Sequence, residues 1–423
     1  MTFRMLETSC CVVGGGPAGM MLGFLLARQG IDVTVLEKHK DFFRDFRGDT
    51  IHPATLQLMH ELGWLDDLLQ VHHTKIEQLS VSLGGAVYQL PDFTHLPTAA
   101  KFIALMPQWD FLNFLAAKAA AFPTFHLLME HEVTGLIEAA PSRSGDKSCV
   151  VGVHVQTPQG PIDIHAPLTV GCDGRRATTV SAAHLDVIER GVPIDVLWFH
   201  ISRCSADPEN ALGYINHGRV AILIDRSDYF QVGFIIRKDA FTAIQSAGLD
   251  AFRTHLGELV PFLAEPDAAG HRRIDEITDF DQLKLLTVQI NHLHRWYMPG
   301  LLCIGDAAHA MSPVGGIGIN LAIQDAVAAA NLLSGPLSLA TLARPVPEAT
   351  LALVQHRRHW PTLVTQWFQA QAHRILTRFL GIDREMRAPL SIRLLSSQPW
   401  FRRFMGRLIG LGALPEHIHS PKA

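Results

Sequence analysis

Two kinds of apolar pattern run along this chain. Residues 9–13 (Ser-Cys-Cys-Val-Val) are a short apolar run that ends in three glycines. An apolar stretch at helical spacing follows over residues 20–29, Gly30 stops it, and Val33-Thr34-Val35-Leu36 is a second apolar run. Continuous rather than alternating runs mark strands covered on both faces, so this stretch predicts a βαβ unit on a buried parallel sheet. An amphipathic helix broken near Gly63 is expected over residues 53–70, strands and loops over 76–104, and a helix over 109–121. Three strands are expected around 127–134, 149–156 and 162–171, the first two joined by a polar hairpin loop at 141–147.

From residue 194 to 237 the pattern changes to alternation, which predicts a second, antiparallel sheet. Val196, Trp198 and His200 share one side of its first strand, and further strands are expected at 221–224 and 231–236. Residues 239–264 read as helix, 283–290 as strand, 301–304 as a buried strand and 305–312 as a loop. A long Ala-rich helix is expected over 320–333, and the prolines of 334–347 predict a connector.

Composition narrows the class. With 423 residues, 48% hydrophobic and 18% charged, the chain is globular and long enough for two or three domains. A net charge of −4 argues against a general nucleic-acid binder. Six scattered cysteines and 23 histidines show no zinc spacing, so no metal site is expected. Residues 1–9 lack the apolar core of a secretory leader and no uncharged apolar run reaches about 18 residues, so a cytoplasmic chain without a transmembrane segment is expected. Residues 370–423 carry a net +6, and residues 399–411 mix bulky apolar side chains with three arginines. This tail reads either as a terminal helix packed on an acidic body or as a peripheral membrane contact.

Three motifs carry chemistry. Gly14, Gly16 and Gly19 match G-x-G-x-x-G after a strand and before a helix. In this arrangement the first glycine permits the tight turn, the second lets backbone approach a pyrophosphate, and the third lets helix and strand pack closely. Glu37, 18 residues after Gly19, is placed to accept ribose hydroxyls. A second motif runs from Leu301 to Asn320: a buried strand delivers Gly305-Asp306, where Asp306 can accept from a polyol, and Gly315, Gly316 and Gly318 let backbone approach a flat ring before a helix begins. The third is Asp173-Gly174, again between a strand and a helix.

Together these motifs resemble the class A flavoprotein monooxygenases, the para-hydroxybenzoate hydroxylase-like family, over residues 9 to about 335. The resemblance implies an α/β fold: a Rossmann-like FAD-binding domain (1–75, 100–180 and 290–335), an interleaved substrate domain with a mixed or antiparallel sheet (76–99 and 181–289), and a C-terminal helical region (336–423). It implies that Gly14, Gly16, Ala18 and Gly19 hold the ADP part of FAD, with Glu37 at the ribose, Val133 at the adenine and Lys38 as a further cofactor contact. Arg47 and Gln108 would also contact FAD, and Asp173 would support FAD and the NAD(P)H path. Asp306 would take the ribityl chain, and Pro313, Gly316, Gly318, Ile319 and Asn320 would line the isoalloxazine. The implied activity is NAD(P)H- and O2-dependent hydroxylation of a small aromatic or polycyclic substrate through a flavin C4a-hydroperoxide. On the second sheet Trp198, Tyr214, Tyr229 and Phe234 are candidate substrate contacts, and His200 is a candidate base for a phenol. With four tyrosines in the chain, the family's tyrosine relay is not matched residue by residue. Epoxidation or Baeyer–Villiger-like chemistry on a lipid, quinone or polyketide, and a non-catalytic FAD-binding partner protein, remain alternatives.

Overall fold

The computed structural model describes residues 4–43, 50–139, 148–205, 207, 213–267, 269–381 and 384–419. Its first layer is a six-stranded sheet in the order Tyr297–Met298, Leu301–Cys303, Thr169–Gly171, Cys10–Val13, Val33–Glu37, Phe125–Met129. All neighbours are parallel except the Tyr297–Met298 edge. The central strands are buried throughout, as their unbroken apolar runs require. Helix Pro17–Ala27 is apolar all round because it too is enclosed: it packs against the sheet and against helix Gly318–Ser338. At Gly23 a Cβ would lie 2.5 Å from Val35 Cγ2, so the helix rests directly on the sheet.

The opposite face of the parallel sheet is covered by a four-stranded sheet, Arg4–Glu7, Gly160–His165, Cys149–Thr157 and Glu132–Ala139. Here the structure corrects two expected strands. The run at 127–134 is two strands in different sheets, because the chain turns at Glu130, whose φ is 58°. The run at 162–171 is likewise split, between His165 and Thr169, where Pro167 cannot donate to a ladder. The loop at 141–147 lies outside the described residues.

A seven-stranded sheet follows the order Lys284–Leu286, Ile194–Ser202, Tyr229–Arg237, Arg219–Asp225, Gly213–Asn216, Gln78–Leu83, Ala86–Asp92. It is antiparallel except where Gly213–Asn216 runs beside Gln78–Leu83. Both faces are covered. On the outer face Leu197, Phe199, Leu223 and Val232 pack against helix Leu249–Leu259 through Phe252 and Leu256. The inner face, with Val196, Trp198, Val220, Ile224 and Ile235, meets Leu105, Val314 and Ile409 from the rest of the molecule.

Helix Gly318–Ser338 runs past its expected end and carries Pro336 in its last turn. The segment Val314–Ser338 is the one helical stretch among the described residues long and apolar enough to cross a membrane, yet most of it is buried inside the fold. The chain closes with helices Glu348–Phe379, Leu390–Ser396 and Pro399–Gly410. The six cysteines are unpaired, and among the described residues no group of His, Cys, Asp and Glu side chains gathers as a metal ion would need.

Candidate cofactor and substrate site

The register of the parallel sheet aligns the three glycine-bearing corners. Gly171 is level with Val13 on one side and with Cys303 on the other. Gly14, Cys172-Asp173 and Ile304-Gly305 therefore leave the sheet together at the carboxyl ends of neighbouring strands. The chain continues from Cys10–Val13 to its neighbour on one side and returns much later on the other, which opens a crevice at that edge.

Each glycine in the first corner has its own reason. At Gly14, with φ 106°, a Cβ would sit 2.4 Å from the Cys172 carbonyl oxygen, and at Gly19 it would sit 2.0 Å from the Gly14 carbonyl oxygen. At Gly16, directly before helix Pro17–Ala27, nothing lies within 4 Å of a Cβ. Two glycines thus close the fold and the third leaves an open cradle at a helix N-terminus, where free N–H groups favour an anion. Ala18 touches the second corner: a Cβ on Gly305 would lie 3.1 Å from Ala18 Cβ. Glu37 accepts from Gly15 N–H and from His39 N–H, each at 3.1 Å, so its carboxylate is fixed beside the turn. Lys38 is exposed next to it, and Val133 is buried in one cluster with Val13 and Leu36. Arg47 lies outside the described residues. Gln108 opens helix Gln108–Ala119 and is half-buried.

Asp306 is partly exposed and faces Arg175, whose Nε is 3.2 Å from Oδ2. Arg175 also donates to the Met311 carbonyl, so it ties the third corner to the second. Asp173 stands at the third corner, just after strand Thr169–Gly171. Its carboxylate accepts from Thr179 N–H at 2.9 Å and Thr179 Oγ–H at 2.7 Å, so it shapes its own turn, and burial pushes its pKa up.

Behind Gly305 stands a buried ionic network that the motifs do not reveal. Asp325 Oδ2 accepts from Gly305 N–H at 3.1 Å and pairs with His309 Nε2 at 2.5 Å; Oδ1 accepts from Arg358 Nε at 2.9 Å. Arg358 also donates to Glu416 at 3.2 Å. Burial pushes the Asp325 carboxyl up, but His309 and Arg358 outweigh it and hold the group below the usual carboxylate range.

The glycine-rich loop at 313–318 is clamped from both sides. Gly315 and Gly316 adopt φ of 83° and 62°. Thr50 Oγ donates to the Gly316 carbonyl at 2.8 Å, and Thr55 Oγ donates to Asn320 Oδ1 at 2.8 Å. Gln369 accepts from Ser312 N–H and donates to the Ser312 and Val314 carbonyls, while His373 Nε2 bonds Ser312 Oγ at 2.8 Å. Burial drives the His373 pKa down to about 4. Pro313 and Gly318 bracket the loop; Ile319 and Asn320 are buried in the first turn of helix Gly318–Ser338.

The buried part of the inner face of the seven-stranded sheet is lined mainly by apolar side chains. Trp198 Nε1 and Gln231 Nε2 are buried donors that have no partner among the described residues. Trp198 is opposite Gly233 and His200 opposite Gln231, so these side chains are near neighbours on one face. A Cβ on Gly233 would lie 3.0 Å from the Trp198 ring, which therefore extends over the glycine. His200 is exposed at the end of its strand, its ring 4.6 Å from that of Tyr229. Tyr214 and Phe234 are corrections. Both point to the outer face, Tyr214 against Phe262 and Phe234 against Phe252 with ring centroids 5.3 Å apart. The physical reason is the two-residue period of a strand, which puts Phe234 opposite in direction to Ile235.

This crevice, with its open glycine cradle, its carboxylates and its clamped second glycine loop, fits a dinucleotide-sized flavin. The chain matches the FAD binding domain family over residues 7–341. It belongs to that family, and within it to the para-hydroxybenzoate hydroxylase-like aromatic monooxygenases, which are oxidoreductases. It is 29% identical to 6-methylpretetramide 4-monooxygenase of Streptomyces rimosus, over 95% of this chain and 92% of that protein. It is 28% identical to a rifampicin monooxygenase of Rhodococcus hoagii over 74% of this chain, spanning 61% of that longer protein. Among solved structures, a probable FAD-dependent monooxygenase from Pseudomonas aeruginosa superposes with a TM-score of 0.70 at 21% identity, over 88% of this chain and 97% of that one. The anhydrotetracycline hydroxylase of Streptomyces rimosus gives 0.70 at 21% identity, over 96% and 76%. These superpositions show the shared two-domain fold.

Proposed function

We propose that this monooxygenase hydroxylates a largely apolar polycyclic aromatic substrate, using NAD(P)H as reductant and O2 as oxidant. FAD held in the crevice supplies the electron transfer from the nicotinamide to O2. The chain's own groups bind and orient it. The cradle at Gly16 and the N-terminus of helix Pro17–Ala27 take the pyrophosphate, Glu37 a ribose, and Asp306 the polyol, with Arg175 balancing its charge. The clamped loop at 313–318 presents backbone to the ring, and helix Gly318–Ser338 begins there, with its positive end at the loop. No second dinucleotide fingerprint is present in the sequence, so NAD(P)H is read as a transient visitor.

The observation that carries the substrate reading is the pair of buried, partnerless donors in an apolar wall, Trp198 Nε1 and Gln231 Nε2. A buried N–H without an acceptor costs roughly 1–3 kcal/mol, so a substrate oxygen that reaches them recovers that loss. The apolar remainder, including Val196, Ile224 and Ile235, suits fused rings. His200, at the open end of the same face, is the group placed to take a phenolic proton. The likeness to 6-methylpretetramide 4-monooxygenase and anhydrotetracycline hydroxylase supports a polycyclic rather than a single-ring substrate. The test is NAD(P)H consumption across polycyclic and single-ring phenols, with product mass. A product heavier by one oxygen, formed best from fused rings, supports the reading. Peroxide alone across the whole panel refutes it.

A further inference from the structure

We propose that the C-terminal helices Leu390–Ser396 and Pro399–Gly410 form a docking face for an anionic lipid surface. The longer helix is seated by its small-residue side. A Cβ on Gly406 would lie 1.9 Å from the Asp92 carbonyl oxygen, and one on Gly410 would lie 2.8 Å from Leu96 Cδ1. Ile409 is buried between them. The helix therefore lies flat on strand Ala86–Asp92, the outer edge of the seven-stranded sheet. Its other side carries Trp400, Arg403, Phe404 and Arg407, the i, i+3, i+4, i+7 positions of one helical face. Trp400 is 62% and Phe404 57% exposed. The preceding helix adds Leu390 at 72% and Leu394 at 65%, on either side of Arg393.

A helix that served only to neutralise the acidic remainder of the chain would place its arginines in ion pairs. Among the described residues Arg384, Arg387, Arg393, Arg403 and Arg407 have no acidic partner; Arg402 alone turns inward, to Gln89 at 2.8 Å. Between residues 384 and 407 Glu385 is the single acid. Charge thus selects an anionic occupant. The rings, leucines and arginines share one continuous exposed face, the arrangement that an anionic bilayer surface binds. At a bilayer surface, rings and leucines enter the acyl boundary while guanidinium groups meet phosphates. This assignment does not depend on which substrate is hydroxylated.

The FAD-loaded full chain is sedimented with vesicles of phosphatidylcholine alone and of phosphatidylcholine with phosphatidylglycerol, at low and high salt. Binding is expected to the anionic vesicles, with release by salt. Arg393→Glu, Arg403→Glu and Arg407→Glu together should lower the partition coefficient by about 100-fold or more. Trp400→Ser with Phe404→Ser should lower it by about tenfold or more. Trp360→Ser with Trp367→Ser, exposed on the separate helix Glu348–Phe379, should leave it unchanged. Flavin absorbance and thermal midpoint report that each variant folds, and an Arg→Gln set replaces the Glu set if that one fails. No binding by the natural chain, equal binding to neutral vesicles, or unaltered binding by the arginine and aromatic variants overturns the proposal. So does loss of binding on changing Trp360 and Trp367. A dimer that Trp400→Ser with Phe404→Ser dissociates, without vesicle binding, assigns the face to a second copy.

Discussion

The crevice at the parallel sheet and the inner face of the seven-stranded sheet are built from different materials. The crevice is mainly backbone: its glycines either close the fold, as Gly14 and Gly19 do, or leave room, as Gly16 does. The inner face is side chains on a regular ladder, and what it recognises depends on which indole, amide or imidazole projects from it. A backbone site tolerates little change because each atom has a fixed place. A side-chain site can be retuned at one position without disturbing its neighbours. On the proposed reading, the enzyme couples an inflexible cofactor grip to an adjustable substrate wall.

The sharpest way to break this contrast lies within the glycine turn. Gly16→Ala adds a Cβ with nothing within 4 Å of it, so the flavin-free protein should keep its thermal midpoint while FAD affinity falls by about tenfold or more; fluorescence titration of flavin into the apoprotein measures it. Gly19→Ala meets the Gly14 carbonyl at 2.0 Å and should instead destabilise the fold itself, by roughly 1–3 kcal/mol in denaturant unfolding. If both variants behaved alike, the division between closing and open glycines would fail.

Support behind the crevice comes next in size. Arg358→Met removes the buried cation shared by Asp325 and Glu416 and leaves each with one remaining ionic partner, His309 and Arg357, so the expected loss is about 3 kcal/mol. The acid side of the stability profile should show His52. It is fully buried, bonds the Ile409 carbonyl at 2.8 Å, and burial brings its pKa down to about 4. The unfolded chain therefore takes up this proton first, and stability should fall as pH drops from about 6.5 to about 4, by about 3 kcal/mol for this group, then level off. His52→Asn keeps a donor to Ile409 and should flatten that part of the curve. Asp325, held low, contributes stability that persists down to the usual carboxylate range and is lost only below it.

The contrast also explains what could be read from the chain alone. Glycines forced by backbone geometry appear in the sequence as glycines, so the three corners and the buried runs between them were legible, and with them the fold class. Asp325, Arg358, Gln369 and His373 were not, because each acts through a partner tens of residues away and carries no local pattern. The strand break at Pro167 was hidden by apolar Ala166 and Leu168 on either side of it, and the one at Glu130 by a polar stretch, Glu130-His131-Glu132, short enough to pass for the exposed part of one strand. Tyr214 and Phe234 were misplaced for a further reason: both faces of the second sheet are buried, so alternation alone does not tell which face meets the cofactor domain.

That last distinction is also the most direct point of attack. Binding of a polycyclic phenol, followed through the perturbed flavin spectrum, should weaken by about tenfold in Trp198→Phe, which keeps an aromatic ring but loses the buried indole N–H. Phe234→Leu, on the outer face, should bind as the natural chain does, with a lower unfolding free energy. Unaltered binding in Trp198→Phe together with weakened binding in Phe234→Leu would contradict the assignment of the inner face to the substrate.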